Sequence, residues 1–188
     1  MTPARGDTAI HRGLRVSSPA RMWCELSVVL TLPELVAAGD YLVHWEFPII
    51  GIDALSEAVE WNPVRVGGAR LRHAAGLLDA HSESPMESEL RVIVVTGGLP
   101  PVTANLWIPT SSGHRYRGDL VFKGHRVIVE YQSVFHFGPE AFRKDMTRIS
   151  RLDADGWVVI QVNLDDLGTP IELVARIRRV LDRRQLLR

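Results

Sequence analysis

Residues Tyr116–Phe137 read YRGDLVFKGHRVIVEYQSVFHF. Leu120, Val121 and Phe122 form one apolar run, and Arg126–Tyr131 holds a second with the β-branched series Val127, Ile128, Val129. Such runs separated by a glycine-containing turn predict two antiparallel strands. Each strand carries one acid among apolar neighbours, Asp119 in the first and Glu130 in the second. A carboxylate there is costly unless it is hydrated, paired or bound to a cation.

The register decides whether the two acids meet. A two-residue loop at Lys123-Gly124 places Asp119 opposite Ile128, with Glu130 its diagonal neighbour at roughly 7–8 Å. A four-residue loop places Asp119 directly opposite Glu130. A three-residue loop sends them to opposite faces. With period-two alternation, Gln132 shares the face of Glu130. Two oxygen anions and an amide suit Mg²⁺ or Mn²⁺ better than zinc. A cation so held could activate water and stabilise charge on a phosphodiester. The plainer reading is two acids on an exposed sheet face.

Outward from this stretch, the chain has 188 residues, 46% of them apolar, and a mean hydropathy near zero. A buried core is expected and general disorder is not. No apolar run is long enough to span a bilayer. The polar start, MTPARGDTAIHRG, lacks the apolar segment of a signal peptide. The lone Cys24 excludes an intrachain disulfide. A cytoplasmic protein without a membrane partner is the expectation. Formal charge is zero, which argues against a protein that coats nucleic acid electrostatically but leaves room for a local basic groove.

Residues 1–13 are expected to be a disordered tail, and 14–81 a helical N-terminal segment or linker. Ser18-Pro19 opens the first helix there. In Ser84-Pro85-Met86-Glu87 a capping box opens another helix, with Glu87 at the third helical position. The cap alone would explain Glu87, which could also be a further metal-side carboxylate. Val102–Ile108 predicts a strand before the hairpin. After Pro139, the residues Phe142, Met146, Ile149 and Leu152 recur at helical spacing and predict a buried face. WVVIQV at 157–162 predicts a buried strand, and a Leu-, Val- and Arg-rich helix closes the chain. The predicted order from Ser84 is α-β-β-β-α-β-α, an α/β domain over residues 82–188 with a mixed sheet flanked by helices. Asp145 and Arg148 read as a helical ion pair worth about 0.2–0.5 kcal/mol. Arg143, Lys144, Arg148 and Arg151 could border a phosphate track. His136 could contact a phosphate or a metal-bound water.

SPMESELR, GLPP, the hairpin RGDLVF…RVIVEYQSVFHF and the run FRKDMTRISRLDADGWVVIQV together resemble a bacterial family of endonuclease-domain proteins. That family is related to the very-short-patch-repair mismatch endonucleases, within the PD-(D/E)XK or restriction-endonuclease-like superfamily. The resemblance covers about residues 84–167 and implies a restriction-endonuclease-like αβββαβ core. It implies Mg²⁺-dependent hydrolysis of DNA, with DNA as partner and a homodimer compatible. By position, Asp119 and Glu130 match the family's metal-binding acids, and Glu87 the acid of its first helix. His136 matches the histidine after the second acidic strand, and Asp145 and Arg148 match a D-x-x-R. Gln132 departs, since lysine or aspartate is usual there. Glutamine can orient water but supplies no charge. That departure keeps open a second class of function: a catalytically decayed nuclease fold that binds nucleic acid or regulates, in a phage-defence or toxin–antitoxin setting.

Overall fold

The structure, a computed structural model, describes residues 8–61, 66–132 and 138–186, with the side chains of Trp61 and Leu186 set aside. The chain divides into two compact units, Met1–Val92 and Ile93–Arg188.

The first unit opens with a hairpin, β1 (Thr8–His11) and β2 (Leu14–Ser17), paired antiparallel. The expected tail to residue 13 is thus ordered from Thr8. Arg12 and Gly13 both have positive φ, 50° and 81°, the conformation whose twist suits a two-residue hairpin turn. Four helices follow: α1 (Pro19–Leu26), α2 (Leu32–Leu42), α3 (Ile52–Trp61) and α4 (Gly68–Ala75). Ser18 caps α1, its hydroxyl accepting from Arg21 N at 3.3 Å. Thr31 and Glu34 form a capping box on α2. Trp23, Leu35, Val36, Leu55 and Leu71 make the core. Gly39 suits this packing, because a Cβ there would press on the Leu78 side chain and the Trp23 indole.

That core also encloses an acid. Asp40 is 1% exposed. It accepts from Arg91 Nη2 at 2.6 Å, Ser88 Oγ at 2.7 Å and Asp79 N at 2.8 Å. Burial raises its pKa against the pull of Arg91. Arg91 and Ser88 come from α5 (Pro85–Thr96), the helix in which the boundary between the units falls.

The second unit is built on a four-stranded mixed sheet in the order β3-β4-β5-β6. Its strands are β3 (Thr103–Pro109), β4 (Arg115–Phe122), β5 (Val127–Tyr131) and β6 (Val158–Val162). The first two pairings are antiparallel and β5–β6 is parallel. A parallel pair needs a crossover, here α6 (Pro139–Ala154). A short turn of helix, α7 (Leu164–Leu167), precedes α8 (Pro170–Leu186). On the α6 side Val121, Ile128 and Ile108 pack with Leu152. Leu120, Phe122, Val127 and Val129, on the other side, are buried too, as a sheet covered on both faces requires.

Two expectations change. The β4–β5 loop has four residues, Lys123–Arg126, since Phe122 pairs with Val127. A 3-10 turn fills it and Arg126 takes a left-handed conformation at φ 52°, a state that no residue type there announces. The second concerns α6, where Leu152 is buried but Phe142 and Met146 are exposed. At about 1.5 Å per residue, its 16 residues outrun neighbouring strands of 5 residues, so only its later turns lie on the sheet.

The β3–β4 hairpin also folds back. Asn105, at φ 50°, interrupts the ladder between Ala104↔Leu120 and Leu106↔Gly118. Beyond the bend, Ser111 at the tip donates its backbone N–H and hydroxyl to Asp155, at 2.8 and 2.5 Å. Gly118 makes the fold-back possible, since a Cβ there would meet Ile128 Cγ2 at 2.6 Å.

Candidate functional site

The observed register carries Asp119 level with Glu130, one step beyond the last ladder pair, Leu120↔Val129. At that step the strands part, and Tyr131 N donates to Asp119 Oδ2 at 2.9 Å. A side-chain carboxylate thus takes the place of the next main-chain carbonyl. Asp119 is half-buried.

Glu130 is more enclosed, at 4% exposed. Alternation from Ile128 turns it toward α6. There Arg148 Nη1 and Nη2 donate to its two oxygens, each at 2.7 Å, a fork-to-fork pair of the strong kind. Arg148 also donates from Nε and Nη2 to Asp145 Oδ1, at 2.9 and 2.6 Å. Gln161, the β6 partner of Glu130, donates from Nε2 to Asp145 Oδ2 at 3.1 Å. Burial works against the Arg148 charge, but Glu130 and Asp145 more than offset it and raise its pKa.

Arg148 therefore does what a bound cation would do for Glu130. A divalent ion shared by Asp119 and Glu130 would compete with the guanidinium for the Glu130 oxygens. In this arrangement Mg²⁺ or Mn²⁺ would meet a carboxylate whose charge Arg148 already offsets. Among the described residues, no group of three or more His, Cys, Asp or Glu side chains is placed to hold a metal ion.

The remaining expected residues divide as follows. Gln132 continues the parallel ladder, its N donating to Val162 O at 2.7 Å, and its half-buried amide has no hydrogen bond among the described residues. Glu87 lies in the first unit and caps α5: its carboxylate accepts from Ser84 Oγ at 2.9 Å and Glu83 N at 3.2 Å. His136 lies outside the described residues. Of the expected phosphate track, Arg148 is consumed by the two acids. Lys144 pairs with Glu140 at 2.8 Å, and Arg151 Nη1 donates to Tyr116 Oη at 2.9 Å. Arg143 is exposed.

Sequence reasoning did not find the Arg148–Glu130 contact. The two residues are eighteen apart, and only the Asp145–Arg148 spacing signalled a pair. No helix among the described residues is long and apolar enough to cross a membrane.

Two uncharacterized proteins from two strains of Mycobacterium tuberculosis, MT2308 and Rv2248, are similar to this chain. Each is 33% identical over 134 residues, 70% of this chain and 49% of the relative. The chain thus spans about half the length of the curated relatives it matches. No protein-family model matches it, and no solved structure does.

Proposed function

We propose that the second unit is a restriction-endonuclease-like domain that binds nucleic acid without cleaving it. The observation that carries this reading is the clasp of Arg148 on both oxygens of Glu130, where a nuclease of this kind needs a cation. Gln132 agrees with it, because a neutral amide supplies neither a further anion for a metal nor a positive charge for a phosphate. The order β3-β4-β5-α6-β6 and the resemblance of residues 84–167 support the fold assignment.

A second reading, metal-dependent hydrolysis of DNA, draws on one observation, the level placement of Asp119 and Glu130. It requires Arg148 to leave Glu130 when substrate and metal arrive. The two readings separate in one experiment. Wild type and Asp119→Ala are incubated with single- and double-stranded DNA in Mg²⁺ or Mn²⁺, and both binding and cleavage are followed. Binding by both proteins and cleavage by neither is expected. Cleavage by wild type that Asp119→Ala abolishes overturns the binding-only reading and establishes the second. Absence of any binding removes the nucleic-acid assignment itself.

A further inference from the structure

The fold-back of the β3–β4 hairpin leaves a cleft of about 510 Å³, within the range of small-molecule sites (about 300–1,000 Å³). It is separate from Glu130 and Arg148, neither of which lines it. Two tryptophans line it, Trp107 of β3 and Trp157 at the entry to β6, with Lys123 and Arg126 of the β4–β5 turn.

The composition is selective. Trp107 is 52% exposed, a large apolar ring left at the surface. Arg115 stands over that ring, its Cζ 5.4 Å from the centroid, yet does not line the cleft. Arg115 thus makes a cation–π contact with the ring without lining the cleft. Lys123 and Arg126 are exposed. Arg126 Nη1 donates to Asp155 O at 3.1 Å, which ties the guanidinium to the rim. Its other N–H groups, and the Lys123 ammonium, make no hydrogen bond among the described residues, while the Arg126 charge acts on the Asp155 carboxylate. One anion also lines the cleft, Asp155, but its carboxylate accepts both Ser111 bonds. The cleft therefore offers a ligand two aromatic rings and two cations, against one carboxylate whose charge Arg126 partly offsets.

From this set we infer that the cleft binds one nucleotide unit of a single strand, the base on tryptophan and the phosphate on Lys123 and Arg126. Aromatic rings accept any base through its π-face, and cations supply the affinity for phosphate. The choice of ligand rests on the nucleic-acid reading above; the cleft itself stands on its own geometry.

The test uses the full chain, a fluorescein-labelled short oligothymidylate followed by anisotropy, and adenosine 5′-monophosphate or inorganic phosphate as competitor. Trp107→Ala should weaken oligonucleotide binding about tenfold. Lys123→Glu with Arg126→Glu should weaken it by about tenfold or more at low salt. These side chains are exposed at the surface, so unchanged melting checks that the fold is kept. The nucleotide should compete better than phosphate. Wild-type binding that neither variant alters overturns the cleft and leaves the function proposed above intact. Phosphate competing as well as the nucleotide overturns base stacking. Nucleotide binding lost in the variants, without binding of any DNA, upholds the cleft and overturns the wider function. Binding of neither probe overturns both.

Discussion

Among the described residues each unit encloses an acid held by an arginine, Asp40 by Arg91 and Glu130 by Arg148, and the two pairs differ in what surrounds them. Asp40, at 1% exposed, meets Arg91 inside a helical core. Its other partners are Ser88 and a backbone N–H, and Arg91 also donates to Leu77 O. There burial outweighs attraction, and the Asp40 pKa is raised. Glu130 meets Arg148 where β4 and β5 part. The remaining partners, Asp145 and Gln161, sit nearer solvent. There attraction outweighs burial, and Arg148 is held charged more firmly than usual. The first pair reads as a fixed element of a core. The second joins one cation to two acids where the strands part.

The sharpest way to break the comparison is Arg91→Ala. It leaves Asp40 enclosed without its cation and should cost about 3–5 kcal/mol, measured by denaturant unfolding. Asp40→Leu with Arg91→Met should recover most of that loss, since an apolar pair of similar volume often replaces a buried ion pair without cost. If the single substitution is nearly neutral, the core pair is not as isolated from water as the geometry states.

Arg148→Ala should cost less, about 1–3 kcal/mol. Arg148 is 19% exposed at its side chain against 8% for Arg91, so water can reach the acid it leaves. It should also do what Arg91→Ala cannot, and give the second unit affinity for Mn²⁺ by freeing the oxygens of Glu130. A loss as large as that of Arg91→Ala, with no metal binding, would make the two pairs equivalent.

These two pairs mark how far the sequence could be read. The order of the main elements from Ser84 was legible, because Ser84…Glu87 carries its cap locally and the apolar runs 120–122 and 127–129 announce strands, as was the first helix at Ser18-Pro19; the hairpin Thr8–Ser17 was not. Asp119, Glu130 and Gln132 were legible as candidates, because acids and amides in apolar strands stand out. What surrounds them was not. A turn with Arg126 left-handed looks, in sequence, like a turn at Gly124. The fold-back at Asn105 depends on Gly118 lying against Ile128, a contact between strands that no local pattern encodes. Phe142 and Met146 show a helical stripe, and a stripe does not say how far the sheet beneath it extends. Nothing local marks Asp40 as buried, because its partner Arg91 lies fifty-one residues away.

The smallest effect is in titration, and its sign distinguishes buried from exposed acids. Asp40 should titrate above the ordinary aspartate value of about 3.9, since burial disfavours its charge. Asp155 should titrate below it, because the hydroxyl and N–H of Ser111 bind its charged form. A raised folded pKa gives stability that is present below the unfolded value and lost as pH rises through the folded one. A lowered folded pKa gives stability present above the unfolded value and lost as pH falls through the folded one. Asp40→Asn and Asp155→Asn should therefore change the acid limb of stability against pH in opposite senses. Carboxyl-carbon NMR of the wild type would show the two shifts directly, and coincident titration of both would remove the contrast.

The central claim is that Arg148 holds the place of a metal on Glu130. Calorimetric titration of Mn²⁺ into wild type and into Asp119→Ala tests it most directly. The account predicts no binding that depends on Asp119. Heat of binding in wild type that disappears in Asp119→Ala would contradict it, and would mean that the two acids share a cation after all.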